Sequence, residues 1–173
     1  MRWRPEFQTQ SRMDNRNNAG IRSKKSRGVA PVAVPEVRLV ISNRQRDRKV
    51  DTRALRSLVE KVQAEAGQSA ELGLHLVSAR RSATLNQQFL GHEGPTDIIT
   101  FDQGSTRDRV CGELFICVAE AIRQAREFGT TWDQEVRRYV IHGILHLRGF
   151  DDLEPGVRRV MKREENRLVK RFG

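Results

Sequence analysis

Among its 173 residues the chain has only two cysteines and one tyrosine, and its aromatic content is 6%. Cys111 and Cys117 lie six apart with no second pair elsewhere, which excludes a zinc knuckle and a disulfide framework. Both are read as small hydrophobes in or beside a strand, in a reducing cytoplasm. No apolar run reaches the ~18 residues of a membrane span. The opening Met1-Arg-Trp-Arg-Pro-Glu6 has basic residues but no apolar stretch behind them, so no secretory signal is expected. No internal repeat is visible.

Charge of one sign is what the chain has in excess. Lys and Arg number 32 against 22 Asp and Glu, a net +10. The imbalance is concentrated at the start. Residues 1–34 hold eight basic side chains and only Glu6 and Asp14 as acids, so this fifth of the chain carries +6 of the +10. A polyanionic partner, most simply RNA, is the expectation. The same stretch is poor in large apolar residues, and Val29 to Pro35 reads as a proline-stiffened linker. Residues 1–35 are therefore expected to form a basic, flexible extension, and residues 36–173 a single domain.

Within that domain the pattern alternates between strand and helix signals. Val37–Ser42, Glu71–Ser78, Ile98–Phe101 and Gly112–Val118 read as strands. Asp51 caps a helix with Leu55, Leu58, Val59 and Val62 on one face, and Gly67 ends it. Ser82 or Thr84 is expected to open a short helix through Phe89, and another runs from about Ala119 to Phe128. Thr131 and Gln134 form a capping-box signature before a helix apolar around much of its circumference. A last helix, from about Glu154 to Lys170, carries Val157, Val160, Met161 and Leu168 on one side, and its other side has seven basic residues from Arg158 to Arg171. The fold class expected is α/β of the α+β type. A small mixed four-stranded sheet is surrounded by about five helices, the central one carrying paired histidines.

Those histidines, His142 and His146, are spaced i and i+4, so one helix face presents both imidazoles to a single metal ion. Gly149 lets the chain turn back, and Asp152 then supplies a carboxylate from outside the helix. Two imidazoles and a carboxylate suit zinc, one ion per chain, although nickel or another divalent metal can use the same ligands. In HExxH peptidases the residue after the first histidine is the general base. Here it is Gly143, which disfavours a metallopeptidase.

The run from His142 through Gly143, His146, Leu147 and Gly149 to Phe150 and Asp151 resembles the signature of the YbeY-type bacterial endoribonuclease family. Leu85-Asn86, Phe89 and Pro95-Thr96-Asp97-Ile98-Ile99-Thr100-Phe101 are similar to a second block of that family, and Gly112 to Ile116 to a third. The resemblance covers residues 36–171. It implies a zinc-dependent endoribonuclease acting on single-stranded RNA in rRNA maturation and ribosome quality control. Its partners would be rRNA precursors and the ribosomal small subunit.

Two positions depart from the family pattern. Asp152 stands where the family has a third histidine, which leaves a zinc centre at +1 rather than +2 and a weaker Lewis acid. Leu90 stands where the family has an arginine, thought to face the cleft and hold phosphate. Arg80, Arg81 or the basic extension are the candidates to replace it. Asp97 and Glu113 are the candidate proton carriers of the cleft, with turn and strand-edge roles as the competing reading. Asn86 is read as a loop tie, His75 as a sheet residue, and Trp132 and Tyr139 as core. His92 sits in a glycine-flanked loop near the cleft segment. With catalysis weakened, the alternative function is an RNA- or ribosome-binding factor on the same fold.

Overall fold

The alternation of Leu72, Leu74 and Leu76 becomes the buried face of a strand spanning Ser69–Val77, while His75 points to the other face and stays half-buried. That strand is β2 of a four-stranded sheet. Its companions are β1 (Val37–Asn43), β3 (Ile98–Asp102) and β4 (Arg109–Cys117). The order is β1-β2-β4-β3, with β1, β2 and β4 parallel and β3 antiparallel at the edge. The computed structural model describes residues 35–173, so the expected basic extension lies almost wholly outside the described residues.

Among the described residues, five helices pack around the sheet: α1 (Thr52–Ala66), α2 (Ala79–Leu85), α3 (Val118–Phe128), α4 (Trp132–Leu147) and α5 (Pro155–Phe172). The mixed sheet and the central helix are thus as expected. Asp51 Oδ1 accepts from the backbone N–H of Arg53 and Ala54 at 2.9 and 3.1 Å, and Gly67 closes α1 at φ 65°. The Thr131–Gln134 capping box opens α4.

α4 is the core helix. Val136, Tyr139, Val140, Ile141, Ile144, Leu145 and Leu147 are all buried, against the sheet and the helices α1, α3 and α5. Its approach to the sheet depends on Gly143. A Cβ there would lie 2.7 Å from both Ile98 Cδ1 and Leu114 Cδ2. The same close packing recurs where Leu147 Cδ2 comes within 2.8 Å of a Cβ added to Gly112.

One helix starts elsewhere than expected. Ser78, not Ser82 or Thr84, caps α2, and the helix proper ends at Leu85. A π-helical turn, Asn86–Leu90, continues it and Gly91 stops it at φ 71°. Ser82 cannot be the cap because its buried hydroxyl donates to Thr96 O at 2.8 Å and accepts from Thr96 N at 3.1 Å. Thr84 Oγ1 bonds back to Arg80 O, the pattern of a residue already inside a helix.

Candidate metal centre

The last turns of α4 present His142 and His146, each half-buried. Just beyond them the helix ends in a Schellman turn. Phe150 N–H donates to Leu145 O at 3.0 Å and Gly149 N–H to His146 O at 2.9 Å. This requires φ +86° at Gly149, a region side-chain-bearing residues avoid. The reversal brings Phe150 O within 3.2 Å of His146 Nδ1.

It also delivers the third donor. Asp151 Oδ1 accepts from the N–H groups of Asp152 and Leu153 at 2.7 and 3.1 Å, an Asx turn. From α5, Arg158 Nε donates to Asp152 O at 2.7 Å. With its backbone held on both sides, Asp152 turns its carboxylate to the histidines. Its oxygens lie 3.9 Å from His142 Nε2 and 3.9 Å from His146 Nε2. The two Nε2 atoms are 3.0 Å apart.

These contacts fix the tautomers. A carbonyl only accepts, so His146 Nδ1 carries a proton toward Phe150 O. His142 Nδ1 lies 2.9 Å from Glu165 Oε2 and donates to it. In the neutral form that a metal ligand must take, both rings then turn their Nε2 lone pairs toward each other and toward Asp152. Electron-rich atoms gathered this way repel unless a cation lies among them. The edge of a tetrahedron with zinc–nitrogen bonds of ~2.0–2.1 Å is about 3.3–3.4 Å, and the observed separations of 3.0 and 3.9 Å bracket it. His142, His146 and Asp152 are thus positioned to chelate one divalent ion, and zinc suits the donor set.

The surroundings favour the ligating forms. Burial, then the neighbouring His142, pushes His146 below its ordinary value and keeps it neutral. Burial alone would raise Glu165, but hydrogen bonds from His142 and Arg138 outweigh it and hold the carboxyl low. Arg138 Nη1 meets Glu165 Oε1 at 2.7 Å. The result is an arginine–carboxylate–histidine chain that orients one ligand from behind.

The site opens into a cleft of ≈ 580 Å³ that Leu90, Asp97, Thr100 and Asp102 also line. Asp97 lies on that wall, with Oδ1 accepting from Thr96 Oγ1 and Ile98 N–H, each at 2.9 Å. Glu113 is not: it corrects the sequence expectation twice. It does not line this cleft, and β4 is an interior strand rather than an edge. Its carboxylate lies over Gly73, where any Cβ would collide with it, and pairs with His75 Nε2 at 2.5 Å.

Leu90 lies on the cleft wall, half exposed, and among the described residues no Lys or Arg lines that wall. Arg80 and Arg81 do not reach it. Asn86 is buried and ties its loop by donating to Gly94 O at 2.9 Å. Tyr139 is buried and Trp132 packs against the core. His92 is exposed and does not line the cleft.

Glu165 was not anticipated from the sequence. The available signal was its phase: Met161, Glu165 and Leu168 follow the i, i+4, i+7 rhythm of the buried side of α5, so a carboxylate interrupts an apolar stripe. Its partner histidine lies 23 residues away, and no local spacing announces the pair.

Comparison with known proteins agrees with this geometry. The family profile described as endoribonuclease YbeY matches residues 40–173. An endoribonuclease YbeY of Chlorobium luteolum is 35% identical over 137 residues, covering 79% of this chain and 99% of the relative. One from Bacteroides thetaiotaomicron is 42% identical over 101 residues, 57% of this chain and 72% of its own. The solution structure of a Thermotoga maritima protein superposes with a TM-score of 0.56 at 29% identity, over 78% of this chain and 87% of that one. The chain belongs to the endoribonuclease YbeY family.

Proposed function

We propose that this chain is a metal-dependent endoribonuclease of the cytoplasm that cuts single-stranded RNA, with rRNA precursors on the ribosomal small subunit as targets. The observation that carries the reading is the convergence of two imidazole Nε2 atoms and a carboxylate in an open cleft, in a chain of this family. His142, His146 and Asp152 hold the ion, zinc by preference. When bound, it supplies Lewis acidity toward a non-bridging phosphate oxygen. Residues 36–173 form the hydrolase domain, and residues 1–35 add sequence-independent attraction to the RNA backbone.

The protein's own groups do the rest. Glu165 and Phe150 O hold the two imidazoles in the tautomer that exposes Nε2. Asp97 has one oxygen committed to Thr96 and Ile98, and its other oxygen, Oδ2, can take a proton from the attacking group. No carboxylate base fits at Gly143, because even a Cβ meets Ile98 and Leu114. The reaction therefore differs from that of HExxH peptidases.

A second reading, an RNA- or ribosome-binding factor, draws on the cation-free cleft wall among the described residues and on Leu90. One experiment separates the two. Zinc-loaded protein is incubated with end-labelled single- and double-stranded RNA, beside His146→Ala. The nuclease reading expects slow cleavage of single strands only, lost in the variant. Binding without cleavage selects the second reading, and equal cleavage by His146→Ala exposes a contaminant.

A further inference from the structure

The two faces of the sheet are unlike. On one, Leu39, Leu72, Leu74, Val110 and Leu114 are buried in the core that contains α1 and α4. On the other, Val40 is 69% exposed, and Ser42, His75, Glu113, Phe115 and Phe101 are half-exposed. Among the described elements, α2 and the π-helical turn cover only part of this second face.

Four rings form a row across it. His75 stacks on Phe115 with centroids 4.5 Å apart, Phe115 meets Phe101 edge-on at 5.7 Å, and Phe101 meets Phe89 edge-on at 4.9 Å. The row ends beside the metal cleft, because the residue after Phe89 is Leu90, which lines that cleft. At the other end, Ser42, Arg44, His75, Arg81 and Phe115 line a pocket of ≈ 470 Å³. Arg44 and Arg81 are exposed, and among the described residues neither guanidinium is paired with a carboxylate.

We propose that this open sheet face is a second RNA-binding site, in which Arg44 and Arg81 hold a backbone phosphate and the His75–Phe115–Phe101–Phe89 row receives the bases of the strand leading to the metal cleft. The inference rests on the endoribonuclease reading. It is favoured by charge and by continuity. Two guanidiniums without a carboxylate partner among the described residues suit a phosphate diester, and because Ser42 Oγ is bonded to His75 Nδ1 at 2.9 Å and His75 Nε2 to Glu113 Oε2 at 2.5 Å, the arginines alone supply the donors. Aromatic side chains give bases a sequence-tolerant surface. The row joins this pocket to the cleft around β3, the edge strand. It also fits Leu90, because among the described residues the cleft wall offers no cation to a phosphate.

The test is fluorescence anisotropy of a labelled 2′-O-methyl single-stranded oligonucleotide of about 12 nucleotides, titrated against the zinc-loaded full chain at several salt concentrations. Arg44→Ala with Arg81→Ala should weaken binding and reduce the slope of log affinity against log salt by about 0.7, the value for one phosphate contact on a single strand. Zinc content should not change. Phe115→Leu should weaken binding by about fivefold or more with the slope intact. Both arginines are exposed, so the double variant decides the question even if Phe115→Leu fails to fold. Wild-type affinity and slope in the double variant would overturn the proposal while leaving the nuclease reading standing. Failure of the wild type to bind or cut RNA would overturn both. Unchanged RNA affinity with lost binding to small ribosomal subunits would make this face a protein-docking surface and also overturn the proposal.

Discussion

Replacing Glu165 removes the acceptor behind His142 without touching a metal ligand. The carboxylate is 5% exposed and bridges His142 Nδ1 at 2.9 Å to Arg138 Nη1 at 2.7 Å. Glu165→Leu leaves the Nδ1 proton unpaired, so the ring can turn or change tautomer and Nε2 no longer presents a fixed lone pair. Loss of such an outer partner typically costs about 10- to 100-fold in metal affinity, or roughly 1.4–2.7 kcal/mol. Glu165→Gln keeps an acceptor oxygen in the same place and loses only the charge, so it should lie near the tenfold end. Arg138 would keep Asn166 Oδ1 at 3.1 Å and Glu135 at 3.8 Å, which limits the accompanying loss of fold stability. Competition with a colorimetric chelator measures the affinity, and nitrogen shifts of labelled histidine report the tautomer. Zinc affinity within twofold of wild type in Glu165→Leu, with His142 still protonated at Nδ1, would refute the orienting role.

Asp152→Ala should lower zinc occupancy below one per chain, and full retention would remove Asp152 from the ligand set. Asp152→His should keep zinc while raising the charge of the centre, and faster cleavage at equal zinc occupancy is the expected outcome. Gly143→Ala gains about 0.8–1 kcal/mol of helix propensity but overpacks Ile98 and Leu114 at about 1–3 kcal/mol, so thermal melts should show net loss of up to about 2 kcal/mol; a raised Tm would mean the sheet yields freely. Deleting residues 1–34 takes the net charge from +10 to +4 and should weaken RNA binding and flatten its salt dependence, whereas an unchanged slope would assign the segment no contact with RNA. Leu90→Arg should speed single-strand cleavage by restoring a cation to the cleft wall, and no change would show that phosphate is held elsewhere.

Signals carried by near neighbours were legible. Asp51 and Gly67 bound α1 where the cap and the left-handed glycine were read, and the Thr131–Gln134 box opens α4. His142, His146 and Asp152 come together because a helix repeat and a glycine turn are both local geometry. Signals set by distant contacts were not. Ser82 looks like a cap in sequence, but Thr96 occupies its hydroxyl from 14 residues away. Glu113 looks like a cleft acid, but strand order alone decides that it faces His75 of β2 instead. Glu165 was hidden because its partner belongs to another helix.

The departures at Asp152 and Leu90 act on the same quantity, the positive charge available to a phosphate diester in the cleft. A carboxylate ligand removes one unit from the centre, and leucine removes another from the wall. Glu165 does not add to this loss, because Arg138 offsets its charge at 2.7 Å. Among the described residues, no cationic side chain lines the cleft. Arg158 is committed to the carbonyls that position Asp152 and Leu153, and Arg167 and Arg171 are committed to Glu65 of α1. Among the described residues, Arg44 and Arg81 have no such commitments on the sheet face that the aromatic row joins to Leu90. In this chain the backbone-holding charge is thus separated from the metal. RNA affinity and cleavage rate should then respond to different substitutions: affinity to Arg44, Arg81 and the basic segment, rate to Asp152 and Leu90.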